Sequence, residues 1–270
     1  MFWTRVKSIL VFIPLTILMI FIGGIPYYIF IAAVLGVAAW EFWRLFKTMG
    51  FNPSFFVIES GVLLFVLHRI LFGIKYADIL ISVILFGVAL YALIRYQQND
   101  EDAAVNFGLH LTVILILGWV GSYFITMRSM PDGRWWLLLA LPITWLADTG
   151  GYTFGKFWGR TKMAPRLSPK KSWAGFVGEI VFGMLAGVLL SLLWHIWMPT
   201  MLWWHGLVMG AVLSVTTILG DLLISLFKRT ARVKDTSNLI PGHGGILDRI
   251  DTWIWAALIG YYTTLFLMRL

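Results

Sequence analysis

Nine apolar runs decide what this chain can fold into. They fall around residues 9–22, 25–43, 55–74, 77–94, 105–126, 135–155, 174–197, 202–226 and 250–268, each long enough or nearly so to cross the hydrocarbon core of a bilayer. In hydrocarbon a segment must satisfy its own backbone N–H and C=O groups, which a run of this length does as a helix. The expected class is all-α: a polytopic integral membrane protein of about nine transmembrane helices with cytoplasmic active-site loops. Composition agrees, since 60% of the residues are hydrophobic, 13% are charged and the mean hydropathy is +0.84, outside the soluble range. The first run is short and is joined to the second only through Gly23-Gly24-Ile25-Pro26, so the two also read as a tilted or re-entrant pair. No small-x-small cleavage site follows it, and a retained span is expected rather than a cleaved signal.

Cys is absent, which excludes disulfides, thiolate metal sites and a Cys nucleophile. The net charge of +8 sits in short connections between apolar runs, where it reads as a topology determinant and as a match for lipid or nucleotide phosphates rather than for nucleic acid. With the N-terminus inside, 16 of the 21 Lys and Arg become cytoplasmic, and Arg69, Lys75, Arg128, Arg134 and Arg269 fall outside. Trp135, Trp136, Trp194, Trp197, Trp203 and Trp204 then read as an aromatic belt at the opposite interface.

Chemistry is unevenly spread. Residues 1–130 supply five spans with few internal polar groups and read as an N-terminal scaffold half. Residues 131–270 read as a catalytic half of the same membrane domain. From Ser225 to Asp251 eight charged residues, one His and three Gly are packed between two apolar runs, and charge stranded beside hydrocarbon is costly unless it handles a charged ligand. Two spans separate the basic stretches Lys156–Ser172 and Lys228–Arg249, so both fall on one face as a cationic bowl suited to a polyanion. Asp148, Asp221, Asp248 and Asp251 stand where helices enter it, the last two at i, i+3 on one helix face. Carboxylates among phosphate-binding cations repel the substrate unless a hard divalent cation bridges the two, and Mg²⁺ fits that role.

Pro241-Gly242-His243-Gly244-Gly245 cannot continue a helix and offers backbone N–H groups to an anion ahead of a helix N-terminus. Gly150 and Gly151 read either as local unwinding at the end of a span or as helix packing. His68, His110, His195 and His205 show no metal-ligand spacing and read as interfacial residues or single interhelical hydrogen bonds. Glu41, Glu59 and Glu179 are taken as helix-end or packing residues without a catalytic role.

Two blocks carry a resemblance. Ser225-x-Phe227-Lys228-Arg229, then Lys234-Asp235-x-Ser237-x-x-Ile240-Pro241-x-His243-Gly244-Gly245-Ile246-x-Asp248-Arg249-Ile250-Asp251, resembles the full signature of the phosphatidate cytidylyltransferases, or CDP-diacylglycerol synthases. Trp145-x-x-Asp148-Thr149-Gly150-x-Tyr152-x-x-Gly155, followed by Gly159-Arg160-x-Lys162-Met163-x-Pro165-x-Leu167-Ser168-Pro169-Lys170-Lys171-Ser172-Trp173-x-Gly175, is similar to that family's second block. Ala174 stands where the family commonly has Glu, and Gly151 where a small residue, often Ala, is usual; only the first departure is expected to matter.

The resemblance implies the conversion of CTP and phosphatidate to CDP-diacylglycerol and pyrophosphate at the cytoplasmic face of a bacterial inner membrane, by a homodimer among membrane lipids. It also implies Mg²⁺ on Asp221 and Asp248, with room for a second, monovalent cation such as K⁺. The residues expected to carry catalysis are Asp148, Asp221, Lys228, Arg229, Lys234, Asp235, His243, Asp248, Arg249 and Asp251. Those expected to bind substrate are Lys162, Ser168, Lys170, Lys171, Ser225, Gly244 and Gly245. For Asp235, loop ordering through Arg232 or Lys234 stands beside the catalytic reading. Two rival classes share parts of this pattern: a CTP-dependent lipid-alcohol kinase, which would release CDP, and an anion transporter, which would consume no CTP.

Overall fold

A computed structural model describes residues 2–240, 242 and 244–269, with side chains from residue 12 onward. Each of the nine apolar runs is helical over most of its length. Among the described residues six helical stretches are long and apolar enough to cross a membrane: Gly24–Thr48, Phe55–Phe72, Ala77–Gln97, Ala103–Arg128, Trp173–Trp194 and Trp203–Thr230. The multispanning all-helical class is thus met, with six such stretches among the described residues where nine spans were expected. The chain forms two compact units, residues 1–126 with 227–249 and residues 127–226 with 250–270. The 227–249 segment thus packs with the N-terminal helices.

In the first unit, α1 (Phe2–Ile22) and α2 (Gly24–Thr48) are separated at Gly23, whose φ of 66° is in the left-handed region that favours glycine. Then follow α3 (Phe55–Phe72), α4 (Ala77–Gln97), α5 (Ala103–Val113), a π-helical turn over Ile114–Val120 and α6 (Tyr123–Arg128). The Ser54 hydroxyl caps α3 by accepting from Val57 N at 3.4 Å. His110 makes the single interhelical bond expected of it, accepting at Nε2 from Ser54 N at 2.8 Å. Phe227 anchors the returning segment by packing edge-on to Phe42 and Phe46, ring centroids 5.1 and 6.0 Å away.

The second unit holds α7 (Gly133–Trp158), a hairpin of β1 (Lys162–Ala164) and β2 (Ser168–Ser172), α8 (Trp173–Trp194), α9 (Trp203–Thr216), α10 (Ile218–Thr230) and α11 (Leu247–Leu267). The ends of α10 and α11 at 227–230 and 247–249 count with the first unit. The antiparallel hairpin, pairing Lys162 with Ser172 and Ala164 with Ser168, departs from the all-helical expectation, as does an isolated bridge between Ile240 and Gly244 in the first unit. Glycines let α7 and α8 approach backbone to backbone: a Cβ added at Gly175 would lie 2.9 Å from Gly151 O, and one at Gly178 would lie 2.7 Å from Gly150 O. Helix α7 is unbroken through Gly150 and Gly151, so packing, not unwinding, is what these two residues serve. The tryptophan belt is only partly as expected. Trp135 and Trp136 are buried, with Trp135 stacked on Trp197 at 5.6 Å, and it is Trp197 and Trp203 that stand exposed.

Candidate functional site

The second unit contains a cavity of about 610 Å³ built almost entirely from the 145–175 sequence block. Helix α7 contributes Asp148, Gly151, Tyr152, Gly155 and Lys156, and the hairpin contributes Lys162, Ser168, Pro169, Lys170 and Lys171. Helix α8 adds Gly175, Phe176 and Glu179, and α10 adds Ile218. The sequence folds this way because Ser172 ends β2 and caps α8 at once, its hydroxyl accepting from Gly175 N at 3.1 Å. That junction fixes Lys171 one residue ahead of the helix.

Lys171 Nζ lies 2.7 Å from Asp221 Oδ2 in the first turn of α10, both side chains largely withdrawn from solvent. Burial works against the Lys171 ammonium, but Asp221, Glu179 and Asp148 more than offset it and raise its pKa above the ordinary lysine value. The hydroxyl of Ser225, a residue expected to contact substrate, donates to Asp221 Oδ1 at 3.4 Å one turn along α10 and steadies that carboxylate. Of the residues named from the sequence, Asp148, Lys162, Ser168, Lys170 and Lys171 line the cavity, and Ala174 does not. The carboxylate that α8 brings to the cavity is Glu179, which sequence reasoning had set aside.

In the first unit the long signature is organised around Asp248, ahead of the apolar run of α11. Its Oδ1 accepts from Lys228 Nζ at 2.7 Å, and Oδ2 accepts from Thr236 N at 2.8 Å, Thr236 Oγ1 at 2.9 Å and Gly245 N at 2.9 Å. Burial pushes this carboxyl up, yet the Lys228 ammonium and the hydrogen bonds from Gly245 and Thr236 hold it below the ordinary aspartate value. The sign for stability follows. The stabilisation from Asp248 is fully present above the unfolded value, near 3.8, and is lost only as pH falls through the lower folded value. Tryptophan fluorescence of the protein in detergent, titrated from pH 7 to pH 2, is expected to stay native-like down to about pH 4. In Asp248→Asn the part of the acid transition below pH 4 should weaken.

Glu41, near the C-terminal end of α2 and fully buried, was missed. Its carboxylate accepts from Thr236 Oγ1 at 3.1 Å, Ser237 Oγ at 2.6 Å, Ile246 N at 3.0 Å and Leu247 N at 2.7 Å. The backbone donors expected to face a phosphate at the start of α11 therefore go to the protein's own anions, Asp248 at residue 245 and Glu41 at 246 and 247. Gly244, at φ 82°, is pressed so close that an added Cβ would lie 2.6 Å from Asp248 Oδ2. A usable signal was present in the sequence, since an ionisable residue within an apolar run is functional by default.

Lys228 is buried on Asp248, whereas Arg229, Lys234, Asp235 and Arg249 are exposed, with Arg229 Nη1 donating to Val233 O at 3.3 Å. Asp251 is buried and accepts from Thr252 N at 2.8 Å. His243 lies outside the described residues, as does Pro241. No group of three or more His, Asp or Glu forms a ready metal cage among the described residues. Asp221 and Asp248 each hold an ammonium at 2.7 Å, where a cation would sit on hard carboxylate oxygens. The donor chemistry therefore fits a Mg²⁺ that takes few protein ligands and completes its shell with phosphate oxygens and water.

Comparison with known proteins covers nearly the whole chain. The sequence model described as the cytidylyltransferase family matches residues 3–267. A Synechocystis sp. protein named phosphatidate cytidylyltransferase is 30% identical over 98% of this chain and 97% of its own length. Proteins of the same name from Pseudomonas aeruginosa and Bacillus subtilis are 32% and 30% identical, over 92% and 96% of this chain and 91% and 94% of their own.

Proposed function

The chain belongs to the cytidylyltransferase family, and we propose that it transfers the cytidylyl group of CTP to phosphatidate, giving CDP-diacylglycerol and pyrophosphate in phospholipid biosynthesis. The observation that carries this reading is the cavity lined by Lys156, Lys162, Lys170 and Lys171 with Asp148 and Glu179, in a chain of apolar helices. Several cations facing carboxylates suit a triphosphate whose charge is shared with a metal ion; a solute pathway needs no such mixture.

A phosphate oxygen of phosphatidate attacks the α-phosphorus of CTP, the α–β anhydride bond breaks, and pyrophosphate leaves with the bonding electrons. The nucleophile is anionic at neutral pH, so no general base is needed, and the protein's work is positioning and charge neutralisation. Lys162, Lys170 and Lys171 would bind phosphate oxygens through the hairpin, and Ser168 would add a hydroxyl donor. Arg229, Lys234 and Arg249 would meet the lipid phosphate or the leaving pyrophosphate, as cations exposed on the signature segment. Mg²⁺ held by Asp221 and Asp248 would, when bound, neutralise charge on the triphosphate. Asp148 and Asp251 would support the metal shell, and His243 with Gly244 and Gly245 would shape the signature loop. The proposal extends to a homodimer in the bacterial inner membrane and to a second, monovalent cation, as the family resemblance implies, with the Lys and Arg asymmetry favouring a site toward the cytoplasm.

Purified protein incubated with CTP labelled in the cytosine ring, phosphatidate and Mg²⁺ is expected to yield a labelled lipid and an equal amount of pyrophosphate. CDP in place of pyrophosphate would establish the lipid-alcohol kinase instead, and unconsumed CTP would defeat both enzymatic readings.

A further inference from the structure

Asp221 has two claims on it. In the structure its carboxylate is occupied by Lys171 Nζ at 2.7 Å, and in the reading above it serves a divalent cation. A metal ion taken at the Oδ2 that Lys171 now holds displaces the ammonium, which then needs another partner. Glu179 offers that place. It is 9% exposed and lines the same cavity as Lys171 and Asp148. No hydrogen bond or ion pair within 4 Å joins it to any other described residue, although its charge acts on Lys171. Its carboxylate opens onto the cavity with no hydrogen-bond donor among the described residues committed to it, so it stands ready for a cation that arrives in another state of the protein. Its room comes from Gly151 on α7, where an added Cβ would lie 2.6 Å from Glu179 Oε1.

We propose that Glu179 is the alternate counter-ion of Lys171: it takes over the ammonium when a divalent cation claims Asp221, and so acts as a positioning residue for metal loading. The inference rests on the reading given under Proposed function. It assigns Lys171 two resting places, Asp221 in the metal-free protein and Glu179 in the loaded one, with the ammonium kept inside the cavity throughout.

A double-mutant cycle on Mn²⁺ affinity, read by electron paramagnetic resonance of the metal alone with protein in detergent, tests it without depending on turnover. Glu179→Gln is expected to weaken Mn²⁺ binding about tenfold, the scale of one charge pair in a partly buried site. In a Lys171→Met background, where no ammonium needs a new partner, the same change should shift affinity less than about twofold. Equal losses in both backgrounds would mean that Glu179 acts only through its field and would overturn the proposal, as would a wild-type protein without saturable Mn²⁺ binding. If Glu179→Gln does not purify as a monodisperse protein, Gly151→Ala, which drives the carboxylate from its niche, replaces it in the cycle. Turnover separates the two claims. A wild type that makes the labelled lipid, with equal losses in the cycle, overturns this inference alone, whereas a wild type that makes none overturns the reading beneath it.

Discussion

Asp221→Asn is expected to lose about a thousandfold in turnover, the scale seen when one group stabilising transition-state charge is removed, while the protein still purifies folded. The carboxylate is on a helix first turn and partly solvated, and its partners are Lys171 and the Ser225 hydroxyl. An Asn there can accept from Lys171 through its amide oxygen while its NH₂ donates to the Ser225 hydroxyl, and Lys171, 18% exposed at its side chain, keeps some access to water. Asp248→Asn should be equally inactive for a less specific reason. Lys228 is buried with it, the side chains being 11% and 3% exposed, and removing one member of such a pair costs about 3–5 kcal/mol. Pyrophosphate release and thermal unfolding in detergent, measured on both variants, separate the cases. Asp221→Asn should shift activity with little change in melting temperature, and Asp248→Asn should shift both. Near-normal turnover in Asp221→Asn would remove that residue from the metal assignment.

The two aspartates looked alike in the sequence, and the reason they differ lies in what the chain folds around them. Length and hydropathy of the apolar runs were enough to place the helices, because in a bilayer the backbone has no alternative to satisfying itself. The signature residues were equally plain, since Lys, Arg and Asp at that density stand out against apolar neighbours. What sequence spacing does not carry is pairing. Lys171 and Asp221 come together only because Ser172 stops a strand at the point where α8 begins, and α10 restarts after Thr217. Glu179 looked like a packing residue because its neighbours on α8 are apolar. Only the glycine seam with α7 shows that its side chain reaches the cavity. Lys228, counted by type among phosphate-binding cations, is instead committed to Asp248. In the same way the Gly244–Gly245 turn was recognisable as an anion-binding element, but the anions it meets in the structure are side chains of the protein.

Glu41→Ala is expected to cause the largest stability loss of any single change outside Asp248 and to inactivate the protein through a residue far from the signature in sequence. Glu41 accepts from Thr236 across 195 positions and from Leu247 across 206, so it ties the loop and the start of α11 to α2. Deleting the carboxylate orphans the Ile246 and Leu247 amides. At about 1–3 kcal/mol for each buried donor, the cost is about 2–6 kcal/mol before the two hydroxyl bonds are counted. The single proton of the Thr236 hydroxyl is shared between Glu41 Oε2 and Asp248 Oδ2, so the disturbance passes to the Lys228–Asp248 pair. Glu41→Gln separates charge from acceptor geometry. Its amide oxygen can serve one of the two N–H groups, while its NH₂ faces a donor, so it should fall between wild type and Glu41→Ala in melting temperature. Activity should track that order if Glu41 acts by holding the loop. Turnover lost in Glu41→Gln with an unchanged melting temperature would instead require that its charge acts on the substrate phosphates, a role that the closed set of four hydrogen bonds around Glu41 argues against.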